Sequence, residues 1–226
     1  MTRISEHFTL EEFYSPQNYR DVLQGRQAPK ATSAEIDPRI VTLLEGLRER
    51  FRTRYPDAAI SIRPHGGYRP EPLNTMVGGA RNSQHRLGNA ADFSIVTGGQ
   101  KLEAALTAVY TEKYMAELGI RGGIGMYRAQ DRYIHVDARG RDVRWYASTA
   151  SAGCPGHGGV PCLYRKGLKG AGVVLIQRAL GVPEDGKFGA QTQRALVLWQ
   201  MKNGLKADGV YGSACNHVLH ALPWED

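Results

Sequence analysis

The chain reads SQHRLGNAADFSIV from Ser83 to Val96, and this stretch decides how the rest of the sequence is interpreted. Gly88 and Asn89 disfavour a helix in its middle, so we expect a loop that leads into a strand. His85 would lie at the mouth of the loop and Asp92 on the strand, among apolar neighbours. Burying a carboxylate is costly unless it is paired or bound to a cation. The stretch therefore predicts a core strand that carries a functional carboxylate.

A second strand candidate carries a histidine in the same kind of setting. His135 stands between Ile134 and Val136 in the run from Tyr133 to Asp137. One carboxylate and two imidazoles would leave a fourth position open for water, which is the ligand count of a catalytic zinc site. From the residues alone, two other interpretations stay open. His135 could be a half-buried, hydrogen-bonded strand residue, and Asp92 could pair with an arginine.

The pattern over the first 146 residues predicts an α+β domain. Apolar spacing of three or four indicates helices over residues 36–55 and 101–118, and alternation indicates strands over 58–62 and 90–96. The runs 124–127 and 133–137 read as paired short strands. Polar or glycine-rich turns join these elements, so we expect a small antiparallel sheet with flanking helices that carries the metal site.

The composition changes near the end of this domain. The run from Ala147 to Gly172 is rich in Gly, Ala, Ser and Pro, which is typical of a linker or a long surface loop. We predict three parts: a domain over residues 1–146, a linker over 147–169 and a second domain over 170–226.

The second domain contains an imperfect repeat of 23 residues. The turns Asp185-Gly186-Lys187-Phe188-Gly189 and Asp208-Gly209-Val210-Tyr211-Gly212 are each followed by a leucine eleven residues after the aspartate. In each copy Asp-Gly makes a turn, an aromatic ring fills the core and a helix follows. With the apolar run that starts at Val173, the pattern predicts a small all-α unit of three helices.

Composition excludes several classes of protein. The chain has 226 residues, 42% of them hydrophobic and 23% charged, which argues against overall disorder. No apolar run reaches the length of a membrane span, and the N-terminus shows no secretory signal. A net charge of +7 suits either a polyanionic partner such as a bacterial envelope or simple solubility. No aromatic and basic pattern for nucleic acid is present.

The chain has three cysteines, Cys154, Cys162 and Cys215. An odd number in a chain of this length argues against a disulfide framework. The segment from Cys154 to Cys162, with His157 between them, offers three loosely spaced ligands. A small loop disulfide or free thiols fit this segment better than zinc.

The first domain resembles the zinc D-Ala-D-Ala carboxypeptidase family, which includes L-alanyl-D-glutamate endolysins and is related to hedgehog-type zinc domains. Ser83–Asp92 is similar to the family motif S-x-H-x-x-G-x-A-x-D. GYRP from Gly67, the closing segment 124–140 and the opening HFTLEEF at residues 7–13 match in order. The resemblance implies that His85, Asp92 and His135 bind Zn²⁺.

The same resemblance implies roles for two further residues. Arg69 would meet the substrate carboxylate or the developing oxyanion, a task that suits a guanidinium. Ser83 would form a hydrogen bond near the metal or the substrate. The implied reaction is hydrolysis of a peptide bond.

One position departs from the family pattern. Some relatives have a glutamate as general base three residues before the last histidine, where this chain has Arg132. Asp137 is two residues after His135, on the same strand face, and is the first candidate for the base. Its alternative role is to support a ligand imidazole or to bind Arg139. Asp131 is a weaker candidate.

The second domain resembles the peptidoglycan-binding domain type 1, because both D-G-x-[FY]-G turns are in register over about residues 170–222. The two resemblances together imply a zinc metallopeptidase that cleaves a stem-peptide or cross-link bond of peptidoglycan. We expect a monomeric, phage endolysin-type enzyme, made in the cytoplasm of an infected or producing bacterium and acting on its wall. The alternative is a non-catalytic wall-binding protein with a structural zinc site.

Overall fold

The computed structural model describes residues 1–126, 132–146, 149–152, 164–219 and 221. The chain divides into two compact units, Met1–Leu102 with His135–Arg139, and Glu103–Ile134 with Gly140–Asp226. Tyr127, Asp131, Cys154 and Cys162 lie outside the described residues. The domain limits at 1–146, 147–169 and 170–226 stay a prediction.

The first unit combines short helices with an antiparallel sheet. Its helices are α1 (Leu10–Phe13), α2 (Arg20–Leu23), α3 (Pro38–Arg54) and α4 (Leu73–Met76). Its strands are β1 (Ala59–Ile62), β2 (Ala90–Thr97) and β3 (Gln100–Lys101). β1 and β3 both pair with β2 in antiparallel register. These elements confirm the predicted α+β class and its antiparallel pairing.

The core of the first unit lies between α3 and the sheet. Asp37 caps α3 by accepting a hydrogen bond from the Arg39 backbone N–H, and Pro38 occupies the first helical position. One face of α3 is buried, through Ile40, Leu43, Leu44, Leu47 and Phe51. This is the face that the apolar spacing predicted.

β2 is the central strand of the first unit. Its residues from Ala90 to Ile95 are all buried, so both of its faces are covered. The strand β5 (Ile134–Asp137), which belongs to this unit from His135 onward, lies beside β2. The two strands that carry the predicted ligands are therefore neighbours in one sheet.

The second unit begins with α5 (Ala104–Glu117) and three more strands. These are β4 (Gly123–Met126), β6 (Val143–Tyr146) and β7 (Thr149–Ala152). β6 pairs with β7 in antiparallel register, whereas β4 and β6 run parallel. The parallel pair is a departure from the predicted antiparallel sheet, and the sequence did not reveal it because its patterning predicted no strand over Val143–Tyr146.

The remaining helices of this unit are α6 (Ala171–Ala179), α7 (Ala190–Lys202) and α8 (Ser213–Leu219). The aromatic residues of the two repeated turns, Phe188 and Tyr211, are buried, as the repeat predicted. Within the described residues, no helix combines the length and the apolar composition that crossing a membrane requires.

Candidate metal centre

Three separate elements carry the residues of the centre. His85 lies in a single 3-10 turn, Gln84–Leu87, Asp92 is the third residue of β2, and His135 is the second residue of β5. Gly88 ends the 3-10 turn with a φ of +69°. A Cβ atom there would lie 1.6 Å from the backbone oxygen of Glu35, so only glycine fits between these ligands.

The three side chains converge at a single point. The distance between His85 Nε2 and His135 Nδ1 is 3.1 Å. Asp92 Oδ1 lies 2.9 Å from His135 Nδ1 and 3.3 Å from His85 Nε2. Ligands bound tetrahedrally to zinc at 2.0–2.2 Å are separated by about 3.3 Å, so these spacings fit a zinc ligand triangle.

The other nitrogen of each imidazole determines which tautomer is present. His85 Nδ1 lies 2.8 Å from the backbone oxygen of Gly67, and His135 Nε2 lies 2.9 Å from Asp137 Oδ2. Both oxygens can only accept a hydrogen bond, so each of these nitrogens carries the proton. With the proton on these outer nitrogens, His85 Nε2, His135 Nδ1 and Asp92 Oδ1 are the atoms whose lone pairs can bind a cation.

Burial and mutual contacts shift the pKa values of Asp92 and the two histidines. Burial alone would raise the pKa of Asp92, but the charges and hydrogen bonds of His85 and His135 lower it well below the usual range. Burial lowers the pKa of His85. Burial also opposes protonation of His135, yet hydrogen bonds to Asp137 and Asp92 raise its pKa. The centre therefore holds an ionised carboxylate beside two buried imidazoles whose pKa values shift in opposite directions.

Asp137 is fully buried and is already engaged by two partners. Besides His135, it accepts hydrogen bonds from the Arg139 side chain, with Nε 2.8 Å from Oδ1 and 3.0 Å from Oδ2, and from the Arg139 backbone N–H. Burial would raise the pKa of Asp137, but His135 and Arg139 lower it. These contacts favour the supporting role over the base, and the base assignment stays a prediction.

Arg69 and Ser83 lie next to the centre. The Arg69 backbone N–H donates to the backbone oxygen of His85 at 2.9 Å, and Arg69 Nη2 lies 3.4 Å from Ser83 Oγ. The Nε atom of Arg69 is buried without a hydrogen-bond partner among the described residues. The site thus holds a guanidinium with unused hydrogen-bonding capacity beside the group that could bind a metal ion.

The structure also describes His65, Arg132 and Cys215. His65 is half-buried, its ring stacks on Tyr19 with centroids 4.5 Å apart, and Nε2 contacts the backbone oxygen of Asn18. Arg132 is exposed. Cys215 is a buried free thiol.

Sequence reasoning missed two kinds of residue. The first is Gly67, which contacts His85 through its backbone oxygen. Every residue has such an oxygen, so the residue type gives no signal. The second is the pair Gln177 and Gln200, which are buried in the three-helix region. Gln177 binds the Asp185 carboxylate and the Gly186 backbone N–H, and Gln200 makes the equivalent contacts with Asp208 and Gly209. The two glutamines are themselves 23 residues apart, so the repeat could have revealed them.

His85 on its 3-10 turn and Asp92 and His135 on neighbouring strands form a group that could hold a metal ion, with Arg69 beside it. Residues 6–137 match the family described as Peptidase M15, and this match covers more than half of the chain. The chain belongs to this family of metallopeptidases. Residues 166–219 match the family described as putative peptidoglycan binding domain. Comparisons with curated proteins and with solved structures gave no match.

Proposed function

We propose that the protein is a zinc-dependent peptidoglycan hydrolase that cleaves a peptide bond in the stem peptide or cross-link, as a phage endolysin-type enzyme does. The convergence of His85, Asp92 and His135 within hydrogen-bond distance of one another carries the proposal. Membership of Peptidase M15 and a peptidoglycan-binding segment in the same chain support a peptidase that acts on peptidoglycan.

In this proposal His85 Nε2, His135 Nδ1 and Asp92 Oδ1 hold Zn²⁺. When bound, zinc polarises a carbonyl group and lowers the pKa of a bound water to roughly 7. The tautomers held by Gly67 and Asp137 present the ligand lone pairs without rearrangement. The negative charge of Asp92 offsets part of the charge of the cation.

Arg69 is proposed to bind a carboxylate of the stem peptide or the oxyanion that develops during hydrolysis. Its 3.4 Å contact with Ser83 is weak, so the terminal nitrogens of the guanidinium keep donors for a bidentate interaction with a carboxylate. Ser83 is proposed to orient that guanidinium and to offer its hydroxyl group to the substrate. Stem peptides carry free carboxylates, so this fixed positive charge matches the chemistry of the substrate.

Asp137 is proposed to position His135 rather than to accept the proton of the attacking water. A general base must have an oxygen within reach of that water. Both oxygens of Asp137 already accept hydrogen bonds, from His135 and from Arg139, in a fully buried position. Carboxylate support of a metal-binding imidazole is a common arrangement and raises the basicity of the ligand.

The segment 166–219 is proposed to hold the enzyme on the wall. Tethering to the substrate raises its local concentration without any change in the active site. Peptidoglycan would then be both the binding target and the substrate. We further propose that the enzyme acts as a monomer, made in the cytoplasm of an infected or producing bacterium and acting on its wall.

The test is digestion of purified peptidoglycan with the zinc-loaded protein, with the chelated protein and with the protein re-loaded after chelation. We expect new amino groups only when zinc is present. Mass spectrometry of the released fragments identifies the bond, because cleavage at D-Ala–D-Ala, at a D-Ala cross-link or at L-Ala–D-Glu leaves different ends. The matched control is Asp92→Ala, which should lose metal and activity together. Release that persists in the chelated protein would overturn the proposal.

A second candidate is a wall-binding protein whose zinc only stabilises the fold. It is favoured by Arg132 at the position of the family's glutamate and by the full engagement of Asp137. The digestion separates the two candidates. Stoichiometric zinc, retained binding to peptidoglycan and no released fragments would establish the second one.

A further inference from the structure

The segment from Gly66 to Arg69 runs between two of the proposed ligands and contacts both through its backbone. The Asp92 backbone N–H donates to the Gly66 oxygen at 2.6 Å. His85 Nδ1 donates to the Gly67 oxygen at 2.8 Å, and the Arg69 backbone N–H donates to the His85 oxygen at 2.9 Å. This backbone segment therefore contacts two of the three residues that would hold the cation.

The segment is packed too tightly for any side chain at its two glycines. A Cβ atom on Gly67 would lie 2.1 Å from the Phe13 backbone oxygen, and one on Gly66 would lie 2.7 Å from the Asp92 backbone oxygen. Both distances are well below a van der Waals contact, and the obstacles are backbone atoms that cannot rotate away. The Tyr68 backbone N–H donates to the same Phe13 oxygen at 2.9 Å. Gly67 thus lies between the backbone of Phe13 and the ring of His85.

Phe13 is itself held by the opening segment of the chain. It ends α1, which begins with a capping box formed by Thr9 and Glu12. The Leu10 backbone N–H donates to the Thr2 oxygen at 2.8 Å, and the Phe13 ring meets the Phe8 ring edge-on with centroids 5.9 Å apart. The motif HFTLEEF at residues 7–13 therefore packs directly behind Gly67.

We propose that Gly67 is a positioning residue for the metal centre and that α1 holds it in place. The Gly67 oxygen keeps the proton of His85 on Nδ1, so that Nε2 presents its lone pair to the cation. This inference rests on the proposed function, because it presumes that His85 binds metal through Nε2. The Gly67 carbonyl accepts a hydrogen bond from His85, as the Asp137 carboxylate does from His135. Each imidazole is thus oriented by an acceptor at the ring nitrogen that points away from the cation site.

The test compares Gly67→Ala with Gly98→Ala in the full chain. Gly98 has a φ of +55° and nothing within 4 Å of its would-be Cβ, so alanine there adds backbone strain without displacing a neighbour. We expect Gly67→Ala to weaken zinc binding by about 10- to 100-fold, measured by competition with a chromophoric chelator. Gly98→Ala should lower the melting temperature and leave zinc affinity unchanged. Equal zinc affinity in a folded Gly67→Ala protein and in the wild type would refute the proposal.

A measurement on the wild type keeps the proposal testable if Gly67→Ala does not fold. Nitrogen chemical shifts of the His85 ring in the metal-free protein report which nitrogen is protonated. We expect the proton on Nδ1. A proton on Nε2 would overturn the inference even if the enzyme binds zinc and hydrolyses peptidoglycan. Wild-type protein that binds no zinc would instead overturn the proposed function.

Discussion

Replacing Asp137 with asparagine separates the two roles that the sequence left open. Asparagine keeps the size of the side chain but removes its charge and replaces one acceptor oxygen by a donor. His135 Nε2–H then loses a charge-assisted hydrogen bond of 2.9 Å, and the Arg139 guanidinium loses its buried counter-charge. With its partner weakened, the His135 ring is free to rotate or to move its proton to Nδ1, the nitrogen that faces the metal.

The expected loss follows from these contacts. A hydrogen bond to a charged group contributes about 1.5–3 kcal/mol. Losing the acceptor behind a metal-binding histidine typically lowers metal affinity about 10- to 100-fold, which corresponds to about 1.4–2.8 kcal/mol. The two figures agree, so we expect zinc affinity to fall by this factor. Saturating zinc should restore a large part of the activity.

The assay measures zinc dissociation constants by chelator competition and then turnover at saturating zinc. Asp21→Asn, which neutralises an exposed carboxylate in α2, is the matched control and should change neither quantity. The supporting role is refuted if Asp137→Asn binds zinc as tightly as the wild type while turnover at saturating zinc falls about a hundredfold or more. That result would identify Asp137 as the general base.

Two further predictions concern the arginine and the repeat. Arg69→Lys keeps the positive charge but loses the planar pair of donors. We expect kcat/KM on stem peptides to fall about 10- to 100-fold while the zinc content stays unchanged. Unchanged kcat/KM would exclude Arg69 from substrate binding. Gln200→Ala leaves the Gly209 N–H and the Asp208 carboxylate without their buried partner. It should destabilise the peptidoglycan-binding segment by about 3 kcal/mol in thermal unfolding and weaken wall binding, with hydrolysis of small soluble peptides retained. A loss below about 0.5 kcal/mol would show that the glutamine does not support the turn.

The sequence alone was enough to predict the main helices and core strands and to single out candidate ligands. Apolar spacing of three or four predicted α3 because a helix buries one face, and alternation over residues 90–96 predicted β2. Asp92 and His135 could be singled out because a polar group in an apolar strand requires a partner. The 23-residue repeat likewise predicted the buried aromatic rings of the two turns.

The convergence of the ligands depended on tertiary structure. His85 and His135 are 50 residues apart, and nothing in local periodicity measures the distance between them. β5 lies beside β2, and this pairing brings His135 to within 2.9 Å of Asp92. The family resemblance implied the same trio, but the spacing that suits zinc became visible only with the strands paired.

The orientation of the candidate ligands was only partly within reach of the sequence. For Asp137 the sequence offered a base, a support for a ligand imidazole or a partner of Arg139, and for Gly67 it gave no signal. The fold shows the Asp137 carboxylate in contact with both His135 and Arg139, and Gly67 between the Phe13 backbone and the His85 ring. Residue types and spacings identified which side chains can bind a cation. The three-dimensional packing decided how they are oriented, because a carbonyl oxygen has the same chemistry in every residue and acquires a role only from what it touches.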